Sequence, residues 1–234
     1  MCLYVGINRS AKDLNLKKPN YWIFPEQFDH DRCVKNYTGI KEQFPFVYVS
    51  FPSAKDPDWE SKYPNTSTIE VLTVAKYEWF AEWEQTSWKK RGDDYEVLKE
   101  QIAQRLLAEL YKVEPQLEGL IDYYELSTPL TTQKFCNYPQ GGLYGFENSP
   151  ARFMSKDISI KTSVKSLYLT GQDVVSPGIG GALLSGYLTS IAILNKNIMK
   201  TAENYSSPKP KSESQTISMQ PTTKLVVDHA EANV

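Results

Sequence analysis

Residues 167–194, "LYLTGQDVVSPGIGGALLSGYLTSIAIL", put an apolar strand-like run, a burst of glycines and an apolar helix-like run into 28 consecutive positions. Four of the chain's twelve glycines, Gly171, Gly178, Gly180 and Gly181, fall inside this stretch between its two apolar runs. The segment around Leu167–Thr170 reads as the end of a strand. From about Gly180, Ala182, Leu183, Leu184, Tyr187, Leu188, Ile191 and Leu194 fit a broad apolar helical face. A helix amino terminus presents unpaired N–H groups and the positive end of a dipole, and glycine lets a ligand approach that backbone with no Cβ in the way. Asp173 is the only acid in the stretch, placed where a carboxylate can accept hydrogen bonds from ligand hydroxyls. From spacing alone two readings stand: a ligand cradle, or a tight turn with close helix–strand packing. The dinucleotide fingerprint G-x-G-x-x-G is written neither here nor elsewhere in the chain.

Working outward, "CLYVGIN" at 2–8, "NYWIF" at 20–24, "FPFVYVSF" at 44–51, "TIEVLTVA" at 68–75 and "LIDYYELS" at 120–127 read as strands, rich in aromatic and β-branched residues. The period changes over 94–111, where Leu98, Ile102, Leu106 and Leu110 recur at i, i+4 steps, predicting a helix capped by Asp93 or Asp94 and stopped before Pro115. "KYEWFAEWEQTSW" at 76–88 sets Trp79 and Trp83 one helical turn apart, as a packed helix or as an apolar entrance. The glycine-, proline- and aromatic-rich stretch 128–153 reads as a long irregular loop, in which Tyr144 and Phe146 are candidates to line a pocket. After Ile198 the composition turns to Ser, Thr, Pro, Lys and Glu, predicting a disordered tail over 201–234.

Composition removes several function classes. With 26 basic and 28 acidic residues well mixed and a net charge of -2, the chain has no basic footprint for nucleic acid. Three scattered cysteines and two histidines offer no metal site, no disulfide framework and no histidine triad, and suit a reducing, cytoplasmic setting. The longest apolar-rich segment, 182–194, falls short of the roughly 20 residues that cross a bilayer. A bound cofactor is then the natural source of any chemistry.

"LYLTGQDVVSPGIGGALLSG" resembles the carboxy-terminal flavin-binding motif of FAD-dependent oxidoreductases of the phytoene desaturase, carotenoid isomerase and retinol saturase family, and "TGQD" most resembles the retinol saturase-like branch. "STPLTTQKFCNYPQGGLYGFENSPARF" and "LYVGINRSAKDLNLKKPNYWIF" are similar to other segments of the same family, so the likeness covers about 1–198. It implies a mixed α+β fold: a substrate-domain β-sheet with packed helices over 1–150, and over 151–200 the terminal strand and helix of a Rossmann-like FAD-binding domain whose amino-terminal part is missing. It implies FAD as cofactor, with Gly171 and Asp173 beside the ribityl and pyrophosphate part. Gly178, Gly180, Gly181 and Ala182 would then bring the helix end to the isoalloxazine edge. Arg152 and Lys156 become candidates for the FAD phosphates, and Asn148 stands where relatives often carry histidine. The implied activity is hydride transfer between flavin and a C–C or C=C bond of an isoprenoid or polyene. Implied partners are a hydrophobic small molecule, the missing amino-terminal half as a separate chain, and a membrane surface contacted peripherally. The rival reading is a non-catalytic lipid- or protein-binding module derived from the substrate domain.

Overall fold

The computed structural model describes residues 1–25 and 29–198. The predicted tail at 201–234 lies outside the described residues. The chain divides into two compact units, Met1–Arg152 and Phe153–Val234.

The first unit is built on one antiparallel sheet. Its strands are β1 (Cys2–Ile7), β2 (Tyr21–Ile23), β3 (Val47–Ser50), β4 (Ser67–Leu72) and β5 (Tyr123–Ser127), in the order β2-β3-β4-β1-β5. Alternation sets the faces. Leu3, Val5 and Ile7 of β1 and Ile69 and Val71 of β4 are buried, while Tyr4 and Glu70 turn to the other side. The register pairs Tyr4 with Glu70 on one neighbour and Glu125 on the other.

The helices of this unit are α1 (His30–Asn36), α2 (Pro52–Lys55), α3 (Trp59–Lys62), α4 (Asp93–Val113) and α5 (Pro129–Cys136), with α6 (Pro150–Met154) falling at the division between units. The long helix α4 buries Tyr95, Ile102, Ala103, Leu106, Leu107 and Leu110 in one core with the apolar face of the sheet. Each large aliphatic side chain buried this way contributes roughly 1.5–3 kcal/mol, so α4 is the principal cover of the sheet. Its end is also fixed by chemistry: the buried Glu114 carboxylate accepts from the Tyr21 hydroxyl at 2.9 Å and from Gln116, joining edge strand β2 to the turn after α4.

Three expectations need correction here. The N-cap of α4 is Gly92, at φ +91°, and Asp93 and Asp94 lie inside the first turn, where their charge complements the dipole without a capping bond. Residues 77–83 form two 3-10 turns, Tyr77–Trp79 and Ala81–Trp83, in place of one helix. They bury Phe80 completely and set Trp79 edge-on to Tyr37 at 4.9 Å and Trp83 against Tyr95 at 5.3 Å, so these rings are packing. The stretch 128–153 is not wholly irregular. Thr128 and Thr131 form a capping box around Pro129, α5 follows, and Asn137 ends it in the left-handed region at φ +55°. Gly141, at φ +61°, passes so close to Pro129 that a Cβ would lie 2.2 Å from its carbonyl oxygen.

In the second unit the principal element is α7 (Gly178–Leu194). The strand expected before it is reduced to a single antiparallel bridge between Lys161 and Tyr168, extended by Leu169 N–H donating to Ile160 O at 2.9 Å. A strand persists only where neighbours supply a ladder, and among the described residues none pairs further with this segment. The parallel sheet of a Rossmann-like domain is therefore not seen among them.

Candidate functional site

The turn between Thr170 and α7 is held from within. Gly171, at φ +105°, donates its N–H to the Ser185 hydroxyl at 2.8 Å, and Thr170 Oγ1 lies 3.3 Å from the same oxygen. Ser185 sits on a narrow buried stripe, Gly181–Ser185–Thr189, by which α7 approaches the preceding extended segment. Thr189 Oγ1 donates to Ser185 O at 2.8 Å. The apolar face expected here is not the buried one: Ala182, Leu183, Leu184 and Leu194 are exposed and Tyr187, Leu188 and Ile191 only half-buried, while Ile179, outside that face, is 89% exposed. Small polar residues win the inward face because a hydroxyl can reach the Gly171 amide only where the backbones come close.

The six candidate residues separate by role. Gly181 is structural: a Cβ there would lie 1.7 Å from the Ser176 carbonyl oxygen. Gly178, at φ +86°, donates its N–H to Gln172 Oε1 at 3.1 Å, so one amide at the helix mouth is satisfied by the chain itself. Gly171 and Gly180 face open space, with nothing within 4 Å of a built Cβ, and Ala182 beside them is exposed. Asp173 is half-buried in the same turn. Pro177 is the N-cap residue and supplies no side-chain cap. No neighbouring atom therefore crowds the backbone at Gly180, while at Gly171 the N–H is taken by Ser185 and the side-chain direction is open.

In the first unit, the open face of the sheet carries a second polar arrangement that strand alternation signals and that a search for motifs overlooks. Tyr4 stands at its centre between Glu70 and Glu125. Burial, followed by the neighbouring Cys2 and its hydrogen bond and then Glu70, pushes the Tyr4 hydroxyl up to about 12; burial and Glu70 push the Cys2 thiol up to about 11. Both groups stay neutral donors across the ordinary pH range. Toward the β2 edge the face turns aromatic, with Trp22 against Tyr48 at 4.7 Å and stacked near Phe24 at 6.3 Å.

The remaining candidates precede the glycine turn in the chain. Arg152 is buried and donates to Phe146 O at 2.8 Å and Asn148 Oδ1 at 2.7 Å, so it braces its own loop, with Asn148 as its acceptor. Lys156 is exposed. Tyr144 and Phe146 are 61% and 58% exposed. No disulfide joins the three cysteines, all of which lie among the described residues. Among the described residues, no helix is long and apolar enough to cross a membrane and no acid, histidine or cysteine cluster suits a metal ion.

No family model matches the chain. It is similar to proteins named all-trans-retinol 13,14-reductase from Danio rerio, 34% identical over 206 residues, and from Homo sapiens, 33% identical over 213 residues. These alignments cover 85% and 88% of this chain but 34% and 35% of the relatives, so the chain spans about a third of the length of the curated relatives it matches. A more distant relative from Danio rerio, 26% identical over 83% of the chain, is named an inactive all-trans-retinol 13,14-reductase. Likeness at this level therefore carries ancestry further than it carries activity. At a third identity over 85% and 88% of its length, the chain belongs to the all-trans-retinol 13,14-reductase (retinol saturase) family.

Proposed function

We propose that this chain supplies the substrate-domain sheet and the flavin-facing turn of an FAD-dependent oxidoreductase that reduces a carbon–carbon double bond of a retinoid or related polyene. The observation that supports the reading is the uncrowded backbone at Gly180, in the first turn of a 17-residue helix, in a chain whose relatives are named retinol reductases. Flavin, when bound, supplies the hydride chemistry.

The chain's own residues do the positioning. Gly171 turns the backbone without a side chain toward the ligand, and Asp173 accepts from ribityl hydroxyls. The α7 amino terminus at Gly180 and Ala182 offers positive potential to the cofactor's electron-rich edge, an effect strongest when that edge carries more negative charge. Gly181 and Ser185 serve a different end, locking α7 against the segment before it so that the turn keeps its shape. On this reading the ADP half of FAD is held by the part of the relatives' length that this chain does not span, whether in the same polypeptide or in a partner chain, in keeping with the lack of a dinucleotide fingerprint here. Exposed aromatic and aliphatic side chains suit an apolar substrate and peripheral contact with a membrane that stores it.

A chimaera tests this directly, with this chain replacing the aligned third of the Danio rerio relative. The expected result is conversion of all-trans-retinol to its saturated product, lost on Gly180→Val or Asp173→Asn. A folded chimaera that retains flavin yet leaves retinol untouched would overturn the activity. One that holds no flavin, yet binds polyenes saturably, would favour a non-catalytic lipid-binding module.

A further inference from the structure

Beside the outer edge of β5 lies a cavity of about 270 Å³ that the flavin reading leaves unused. One wall is aromatic. Trp88 and Phe135 meet edge to face at 5.2 Å and are 43% and 61% exposed, while Tyr95, buried, closes the floor and shares its hydroxyl with Thr128 at 2.7 Å. The other wall is charged: Lys89, Arg91 and Lys99 line it with Glu96 and Glu125.

The charges do not balance. Lys99 is offset by Glu96 at 3.5 Å, and Glu125 accepts from the Tyr123 hydroxyl at 2.7 Å. Lys89 and Arg91 have no ion-pair partner among the described residues. Lys89 lies over the Trp88 ring at 4.7 Å and Arg91 over the Tyr95 ring at 5.2 Å. The Arg91 Nε is buried from solvent and has no hydrogen-bond acceptor among the described residues. A half-buried guanidinium without an anion carries an unrelieved desolvation cost, which a planar carboxylate relieves with paired charge-assisted hydrogen bonds.

From this juxtaposition of an unpaired Arg91 and Lys89 with the exposed Trp88–Phe135 pair, we propose that the cavity binds the acid end of an apolar monocarboxylic acid. The carboxylate meets Arg91 and Lys89, the hydroxyls of Ser127 and Thr131 line its surroundings, and the first carbons of the chain lie along Trp88 and Phe135. Three cations against two acids leave a single net positive charge, which suits a monoanion, and the carboxylates of Glu96 and Glu125 disfavour a dianionic phosphate. The volume falls just below the usual range for small-molecule sites of about 300–1,000 Å³, so it takes one end of such a molecule and leaves the tail outside.

The test uses the full chain, calorimetric titration and three probes: decanoate, decanol and decyl phosphate. Decanoate is expected to bind saturably at one site and at least tenfold more tightly than decanol. Arg91→Gln is expected to weaken decanoate about tenfold while leaving decanol unchanged, Lys89→Gln to act in the same direction, and Phe135→Ala to weaken both. Circular dichroism checks that each variant is folded, and Lys62→Gln, remote from the cavity, is the control. Equal affinity for acid and alcohol would overturn the proposal, as would unchanged decanoate binding in both folded cation variants. Tighter binding of decyl phosphate than of decanoate would overturn the assignment to a carboxylic acid.

Discussion

Replacing Gly181 and Gly180 separately by alanine separates packing from ligand access at neighbouring positions of one helix. At Gly181 the new Cβ would lie 1.7 Å from the Ser176 carbonyl oxygen and 2.5 Å from its carbonyl carbon, both backbone atoms that cannot swing away. The amino-terminal turns of α7 must retreat, an overpacking cost of about 1–3 kcal/mol. The retreat also strains the Ser185–Gly171 hydrogen bond one turn further along the same stripe, worth about 1 kcal/mol. Alanine's helical preference over glycine returns roughly 0.8–1 kcal/mol. The net expectation is a loss of about 2 kcal/mol, or roughly thirtyfold more frequent local opening. At Gly180 nothing lies within 4 Å of the new Cβ, so only the helical gain applies. Hydrogen exchange of the α7 amides is the assay: faster in Gly181→Ala, unchanged or slower in Gly180→Ala. Equal protection in both variants would refute the claim that Gly181 is there for close approach and Gly180 for open access.

Two further outcomes concern the first unit. Tyr37 is buried with its hydroxyl lacking a partner among the described residues, while its ring packs on Trp79 and Phe44. Tyr37→Phe keeps the rings and removes the unpaired group, so chemical denaturation should show a gain of about 1 kcal/mol; a loss of that size would mean the hydroxyl has a partner. Cys2 is held protonated in the fold, its pKa raised from about 9 to about 11 chiefly by burial. Because the folded state binds this proton more tightly than the unfolded chain, the contribution is complete below pH 9 and disappears as pH rises through 11. The urea midpoint should fall over that interval, and fall less in Cys2→Ala; an identical decline in both proteins would assign the effect elsewhere.

What could be read from the residues follows the range of the interactions involved. The α4 stripe of Ile102, Leu106 and Leu110 and the alternation in β1 and β4 are local patterns, and both elements form where the pattern places them. Strand order is not local: nothing in the linear order announces that β1 pairs with both β4 and β5, or that Tyr4 thereby stands between two carboxylates. The α5 start at Thr128-Pro129 carries a capping box, but the density of glycine and aromatics beyond it reads as a loop. The helix α7 is the instructive reversal. Its apolar composition promised an apolar inward face, but Gly181, Ser185 and Thr189 take that side because close backbone approach and the Gly171 amide both demand small or hydroxylated residues. Of the two readings that the spacing allowed, close packing is met at Gly181, and ligand access at the uncrowded Gly180 is what we propose.

The most direct measurement of the central claim is flavin content per polypeptide after purification of the chimaera carrying this chain. The account predicts one flavin per chain, released by Gly180→Val while hydrogen exchange of α7 beyond Ser185 stays slow. Full flavin retention in a folded Gly180→Val and Asp173→Asn double variant would place the cofactor elsewhere and contradict it.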